Sequence, residues 1–107
     1  MSKYVFIESR DPFESHDTRF VEETAMALKQ RGHDVTVFLV QNGVLAARRK
    51  VCRLGSLAEA GVRLLADDLS LRERGIQSAE LAPEIQEAKI ELLVDALVQD
   101  NTKALWH

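Results

Sequence analysis

The chain has 107 residues, 46% of them hydrophobic and 29% charged, enough apolar matter for one packed domain over residues 1–107 and too little chain for a two-domain enzyme. Lys and Arg number 14 against 17 Asp and Glu, and the resulting net charge of −3 argues against nucleic acid or an anionic membrane as partner. One cysteine excludes an internal disulfide, and no apolar run approaches the ~20 residues of a membrane-spanning helix. Without a basic-then-apolar leader, the expected compartment is the cytoplasm.

Tyr4-Val5-Phe6-Ile7 is a continuous apolar run of aromatic and β-branched residues, the pattern of a strand buried on both faces. A polar loop follows from Glu8 to His16, where Pro12 forbids the strand from continuing. Phe20, Val21, Thr24, Ala25 and Leu28 then fall at helical spacing, with Asp17 or Thr18 as cap and Gly32 just past the end. Val35 to Val40 repeats the buried-strand pattern, and a strand, helix, strand succession of this length implies parallel pairing. Asn42-Gly43 reads as a turn in which Gly43 supplies a positive φ, leading into a helical turn at Val44 to Ala47 and a basic stretch from Arg48 to Arg53.

Ser56 to Ala60 reads as a short helix closed by Gly61, and Val62 to Ala66 as a third strand delivering Asp67 and Asp68 at its carboxyl end. Ser70 and Glu73 have capping-box spacing, which predicts a short helix over Leu71 to Arg74. Ile90, Leu93, Val94, Leu97 and Val98 form an i, i+3, i+4, i+7, i+8 stripe, so a helix is expected from about Lys89 to Asp100. Ile85 to Lys89 fits either its first turns or an edge strand, and Lys103 to Trp106 fits a last strand. The expected architecture is α/β: three α/β/α layers around a sheet of four or five mostly parallel strands, which binds ligands outside the strands' carboxyl ends.

That rule confines the search for chemistry to three loops. The first contains no glycine, so it builds neither a dinucleotide-binding turn nor a phosphate cradle. His16 there is either a proton carrier or a surface residue beside a helix start. His16, His33 and His107 lack metal-ligand spacing, and Asp67 and Asp68, adjacent in sequence, point apart, so no metal and no cofactor is expected. Cys52 stands among Arg48, Arg49, Lys50 and Arg53, cations that would stabilise a thiolate able to accept sulfane sulfur; otherwise it is an incidental cysteine in a solvated basic loop. Asp67 and Asp68 either cap the short helix or serve as acid or acceptor in the strand-end cleft, with Arg72 and Arg74 close enough in sequence to pair with them. Asn42, Gly43, Asp67, Asp68, Arg72 and His16 are thus the candidate ligand- or partner-binding residues, and Cys52 is the candidate catalytic one.

The ordered set Tyr4 to Ile7, Arg31 to Val40, Asn42-Gly43-Val44, Gly61-Val62 and Arg74-Gly75-Ile76 resembles the DsrE/DsrF-like family of sulfur-relay proteins, which includes TusD-like members. The resemblance runs over nearly the whole chain. It implies an α/β/α sheet with a C-terminal strand, and assembly into trimers or hexamers of like or related DsrE-like chains in a bacterial or archaeal cytoplasm, with a sulfur-carrier protein as a further partner. In active members a cysteine at the end of the third strand, eight positions before the glycine of Arg-Gly, carries sulfur as a persulfide. Counting back from Gly75 lands here on Asp67, flanked by Ala66 and Asp68, so the expected thiol is missing. The resemblance therefore implies a non-catalytic subunit that lacks the family's active-site cysteine, with persulfide carriage by Cys52 as the alternative; nothing in the family's motif matches Cys52.

Overall fold

The computed structural model describes residues 2–107. Five strands, β1 (Lys3–Glu8), β2 (Asp34–Leu39), β3 (Arg63–Asp67), β4 (Gln86–Ala88) and β5 (Thr102–Trp106), form one sheet in the order β4-β3-β2-β1-β5. Every pairing is parallel. β1 lies between β2 and β5, so its apolar run packs on both faces: Phe6 joins a large core cluster with Val37, Leu39 and Leu64, while Val5 and Ile7 join a smaller one with Phe38 and Leu65. The alternation of Phe6 against Val5 and Ile7 is the two-residue period of a strand buried twice.

The larger cluster is covered by α1 (Thr18–Gln30) and α2 (Gly55–Glu59), together with a 3-10 turn over Gln41–Ala47. The opposite face is covered by α4 (Ile90–Leu97), which contributes Leu93 to the second cluster. Between β3 and β4 lies α3 (Asp68–Glu73). Gly32 follows α1 with φ 87°, the left-handed conformation that ends helices and that a side chain would strain. The segment from Ile85 resolves as an edge strand, because Gln86 to Ala88 take up the free side of β3.

Several expectations are corrected. Asp17 occupies the N-cap position of α1 with helical backbone and makes no capping bond; Thr18 Oγ1 instead donates to the Ser15 carbonyl at 3.2 Å. Phe20, expected on the apolar face of α1, is 59% exposed, because the sheet contact is made by Val21 and Ala25. The capping spacing that matters in α3 is Asp67 to Ser70, not Ser70 to Glu73. Gly43 does not have a positive φ; the left-handed residue of that turn is Gln41, at φ 50°. Glycine is required at 43 for space, since a Cβ there would stand 2.1 Å from the Glu8 carbonyl oxygen. Finally, α4 ends at Leu97, and of its stripe only Leu93 is buried; Ile90, Val94, Leu97 and Val98 face outward.

Candidate functional site

The carboxyl ends of the strands carry two separate polar constellations, one over β2 and β3 and one over β1. The first is centred on Asp67, buried at the end of β3. Its Oδ2 accepts from the Ser70 backbone N–H at 3.1 Å and from the Ser70 hydroxyl at 2.7 Å, which caps α3. The Ser70 Oγ in turn accepts from the Gln41 backbone N–H at 2.9 Å and so holds the chain as it leaves β2. Arg74 completes the cluster by donating from Nε to Asn42 Oδ1 and from Nη1 to the Ser70 carbonyl, both at 3.1 Å. Asp67 Oδ1 is buried and has no hydrogen-bond partner among the described residues. An unsatisfied buried carboxylate oxygen is costly, and it is an acceptor available to an incoming donor.

Of the residues singled out in the sequence, Asp67 and Asn42 meet here, joined through Ser70 and Arg74, while Gly43 packs against the backbone of Glu8 at the end of β1. Asp68 is half-buried in the first turn of α3, and Arg72 is exposed on that helix. The expected pairing of Arg72 or Arg74 with Asp67 or Asp68 does not form; Arg74 approaches Glu73 at 3.9 Å and is otherwise spent on Asn42 and Ser70. Ser70 and Gln41 were not legible as site residues, although Asp67 three positions before Ser70 is N-cap spacing. Asp67→Ala removes the cap and strands both Ser70 donors, so we expect a loss of about 1–2 kcal/mol, read as a lower Tm in thermal unfolding. Asp67→Asn keeps an acceptor for Ser70 and should recover most of it. An alanine variant as stable as the parent would contradict the capping role.

The second constellation surrounds Glu8 at the end of β1. Glu8 is buried, and His107 Nδ1 lies 2.9 Å from both of its carboxylate oxygens, while the Arg10 backbone N–H donates to Oε1 at 3.1 Å. The backbone tightens the same junction: the His107 N–H donates to the Ile7 carbonyl, and the Ser9 N–H and hydroxyl donate to the His107 carbonyl. The loop beyond is shaped by buried Asp11, whose Oδ1 accepts from the Phe13 N–H at 3.0 Å. Between this loop, the first turns of α1 and residues 51–57 lies a cavity of about 190 Å³, with His16 on its lining and Glu8 in its wall. His16 is thereby separated from the other candidate residues, none of which lines this cavity.

Cys52 belongs to neither constellation. Its Sγ donates to Glu84 Oε1 at 3.2 Å, and the thiol packs half-buried against the larger core cluster. Burial, and then the Glu84 carboxylate, push the thiol up to about 11, the backbone N–H of Leu54 opposing them only in part. This reverses the expectation from the flanking cations. Arg48 Nε is engaged by the Leu45 carbonyl and Arg49 by the Ala79 carbonyl, and Lys50 and Arg53 are exposed. Among the described residues, no group of three or more His, Cys, Asp or Glu gathers with metal-binding proximity, and no helix is long and apolar enough to cross a membrane.

Parallel strands in this order, with helices on both faces and polar groups gathered at the strands' carboxyl ends, define an α/β sheet protein with strand-end clefts. The chain belongs to the DsrE/DsrF-like family, whose model matches residues 2–102. Solved structures share the fold. A protein of unknown function, MTH1491 from Methanobacterium thermoautotrophicum, is 17% identical with a TM-score of 0.85, and all of each chain is covered. The ychN protein from E. coli is 20% identical with a TM-score of 0.82, over 98% of this chain and 100% of that one. A conserved protein of unknown function, BT1422 from Bacteroides thetaiotaomicron, is 16% identical with a TM-score of 0.76, over 99% and 95%. No curated protein matches the chain.

Proposed function

We propose that this chain is an oligomeric DsrE-like protein of sulfur metabolism, cytoplasmic, acting as a non-catalytic binding or partner subunit rather than as a sulfur carrier. Membership of the family supports the sulfur-related setting. The observation that carries the non-catalytic reading is Asp67: a buried carboxylate at the end of β3, already committed through Oδ2 to Ser70, stands eight positions before Gly75, where the family resemblance leads us to expect a thiol. A persulfide is a sulfur–sulfur bond, and a carboxylate has no sulfur to form it. Asp67 Oδ1, Asn42 and Gly43 at the same strand ends, with Asp68 and Arg72 on the adjoining helix, are the groups we assign to binding a small molecule or partner.

The partner we favour first is a second copy of this chain, in a trimer or hexamer. Ile90, Val94 and Val98 of the α4 segment, with Leu105 and Trp106 of edge strand β5, are 40–76% exposed, a set of apolar residues that solvent alone does not reward. Related DsrE-like subunits or a sulfur-carrier protein are the other occupants such a surface would suit. Mass spectrometry tests both halves of the reading. Incubated with a persulfide donor, the intact chain should gain no adduct of about 32 Da, the mass of one sulfur atom, and in native conditions it should appear as a multiple of 12.0 kDa. An adduct that disappears in Cys52→Ser would overturn the first half, and a monomer at micromolar concentration the second.

A further inference from the structure

The cavity over β1 has a floor and a rim of different chemistry. Val37 and Leu39 of β2, two residues apart and so on one face of the sheet, meet Leu54 and Leu57 and make the floor apolar. The charged lining consists of Arg10, Arg19 and Arg53 against Glu8 and Glu22, three guanidiniums to two carboxylates. Two of these charges are already committed: Glu8 to His107 at 2.9 Å, and Arg10 to Asp17 at 3.6 Å. Arg19 and Arg53 form no ion pair among the described residues. The cavity's remaining carboxylate is Glu22, whose carboxyl burial raises above the ordinary range despite Arg19 and Arg53 beside it, with Glu8 and Glu23 adding to the rise. A cation entering here meets two uncommitted guanidiniums; an anion meets them as partners.

We propose that this cavity is a binding site for a small aliphatic carboxylate, its acid group held by Arg19 and Arg53 and its chain lying on Leu39, Leu54 and Leu57. A single carboxylate matches a planar guanidinium with two parallel hydrogen bonds, whereas a phosphate dianion would set excess charge over an apolar floor, with no glycine-rich backbone to cradle it. A volume of about 190 Å³ suits a chain of a few carbons. The mouth is formed in part by Pro12 and Phe13, the latter 54% exposed and so available to cover the chain. Neither Asp67 nor Ser70 nor Asn42 lines this cavity, so its occupancy and the reading of the Asp67 cluster stand or fall separately.

The test is a titration of isotope-labelled protein with n-hexanoate, followed by amide chemical shifts, with n-hexanol and n-hexylammonium as neutral and cationic probes of the same length. Hexanoate should give saturable shifts centred on Phe13, Glu22 and Leu54, with Kd on the order of 1 mM. Hexanol should bind several-fold more weakly. The double variant Arg19→Ala, Arg53→Ala alters two exposed side chains, so its spectrum should remain that of the folded parent while hexanoate affinity falls about tenfold or more. Three results would each overturn the proposal: no saturation by roughly 20 mM hexanoate, hexylammonium binding as tightly as hexanoate, or affinity unchanged in the folded double variant.

Discussion

Gly43→Ala is expected to destabilise the protein by about 3 kcal/mol, lowering Tm by at least about 12 °C. Helix propensity alone predicts the opposite sign, because alanine is favoured over glycine in a helical turn by up to about 1 kcal/mol and the φ of Gly43 is not positive. Space decides the outcome. An added Cβ would lie 2.1 Å from the Glu8 carbonyl oxygen and 2.9 Å from its carbon, and both are backbone atoms that cannot swing aside. The same Glu8 carbonyl accepts the Val40 N–H at 2.9 Å, so displacing it breaks the bond that ties the end of β2 to β1. It also moves the residue whose side chain meets His107 and walls the cavity. Gly55→Ala is the matched control: nothing lies within 4 Å of its Cβ position and it begins α2, so its Tm should be unchanged or slightly raised. Differential scanning calorimetry of the two variants separates the effects, and equal midpoints would refute the close approach.

Cys52 should be alkylated by iodoacetamide at pH 8 about a hundredfold more slowly than an ordinary thiol. The thiolate is the reacting form, and a shift from 9.0 to about 11 lowers its fraction by two powers of ten. The sign follows from the causes: burial and the Glu84 carboxylate both disfavour a second negative charge, so the folded protein holds the proton more tightly than the unfolded chain. Stability from this group is therefore present below about pH 9 and lost as pH rises through about 11. Glu84→Gln removes the carboxylate's charge while keeping an acceptor for Sγ, and it should speed alkylation without changing the fold. A parent thiol that reacts at the ordinary rate at pH 8 would revive the persulfide alternative for Cys52. A glutamine variant no faster than the parent would leave burial as the sole cause.

The division between what was legible in the sequence and what was not follows from the range of the forces involved. β1, β2, β3 and α1 could be read along the chain, because a strand buried on two faces and a helix buried on one impose periods of two and 3.6 on consecutive residues. Parallel pairing followed from the length of the crossovers. The identity of Asp67 at the end of β3 was equally local, being a matter of counting from Gly75. The environment of Cys52 was not: none of its four cationic neighbours in sequence acts on the thiol, which is governed by burial against the core and then by Glu84, 32 positions away. Periodicity likewise identified the apolar stripe of α4 but not that all of it except Leu93 would face outward, since the pattern marks which residues share a face and not what packs against that face. The pairing of Glu8 with His107, the convergence of Arg19 and Arg53 on one cavity, and the space that only glycine fits at 43 arise between segments far apart in the chain, and they exist only once the sheet has closed.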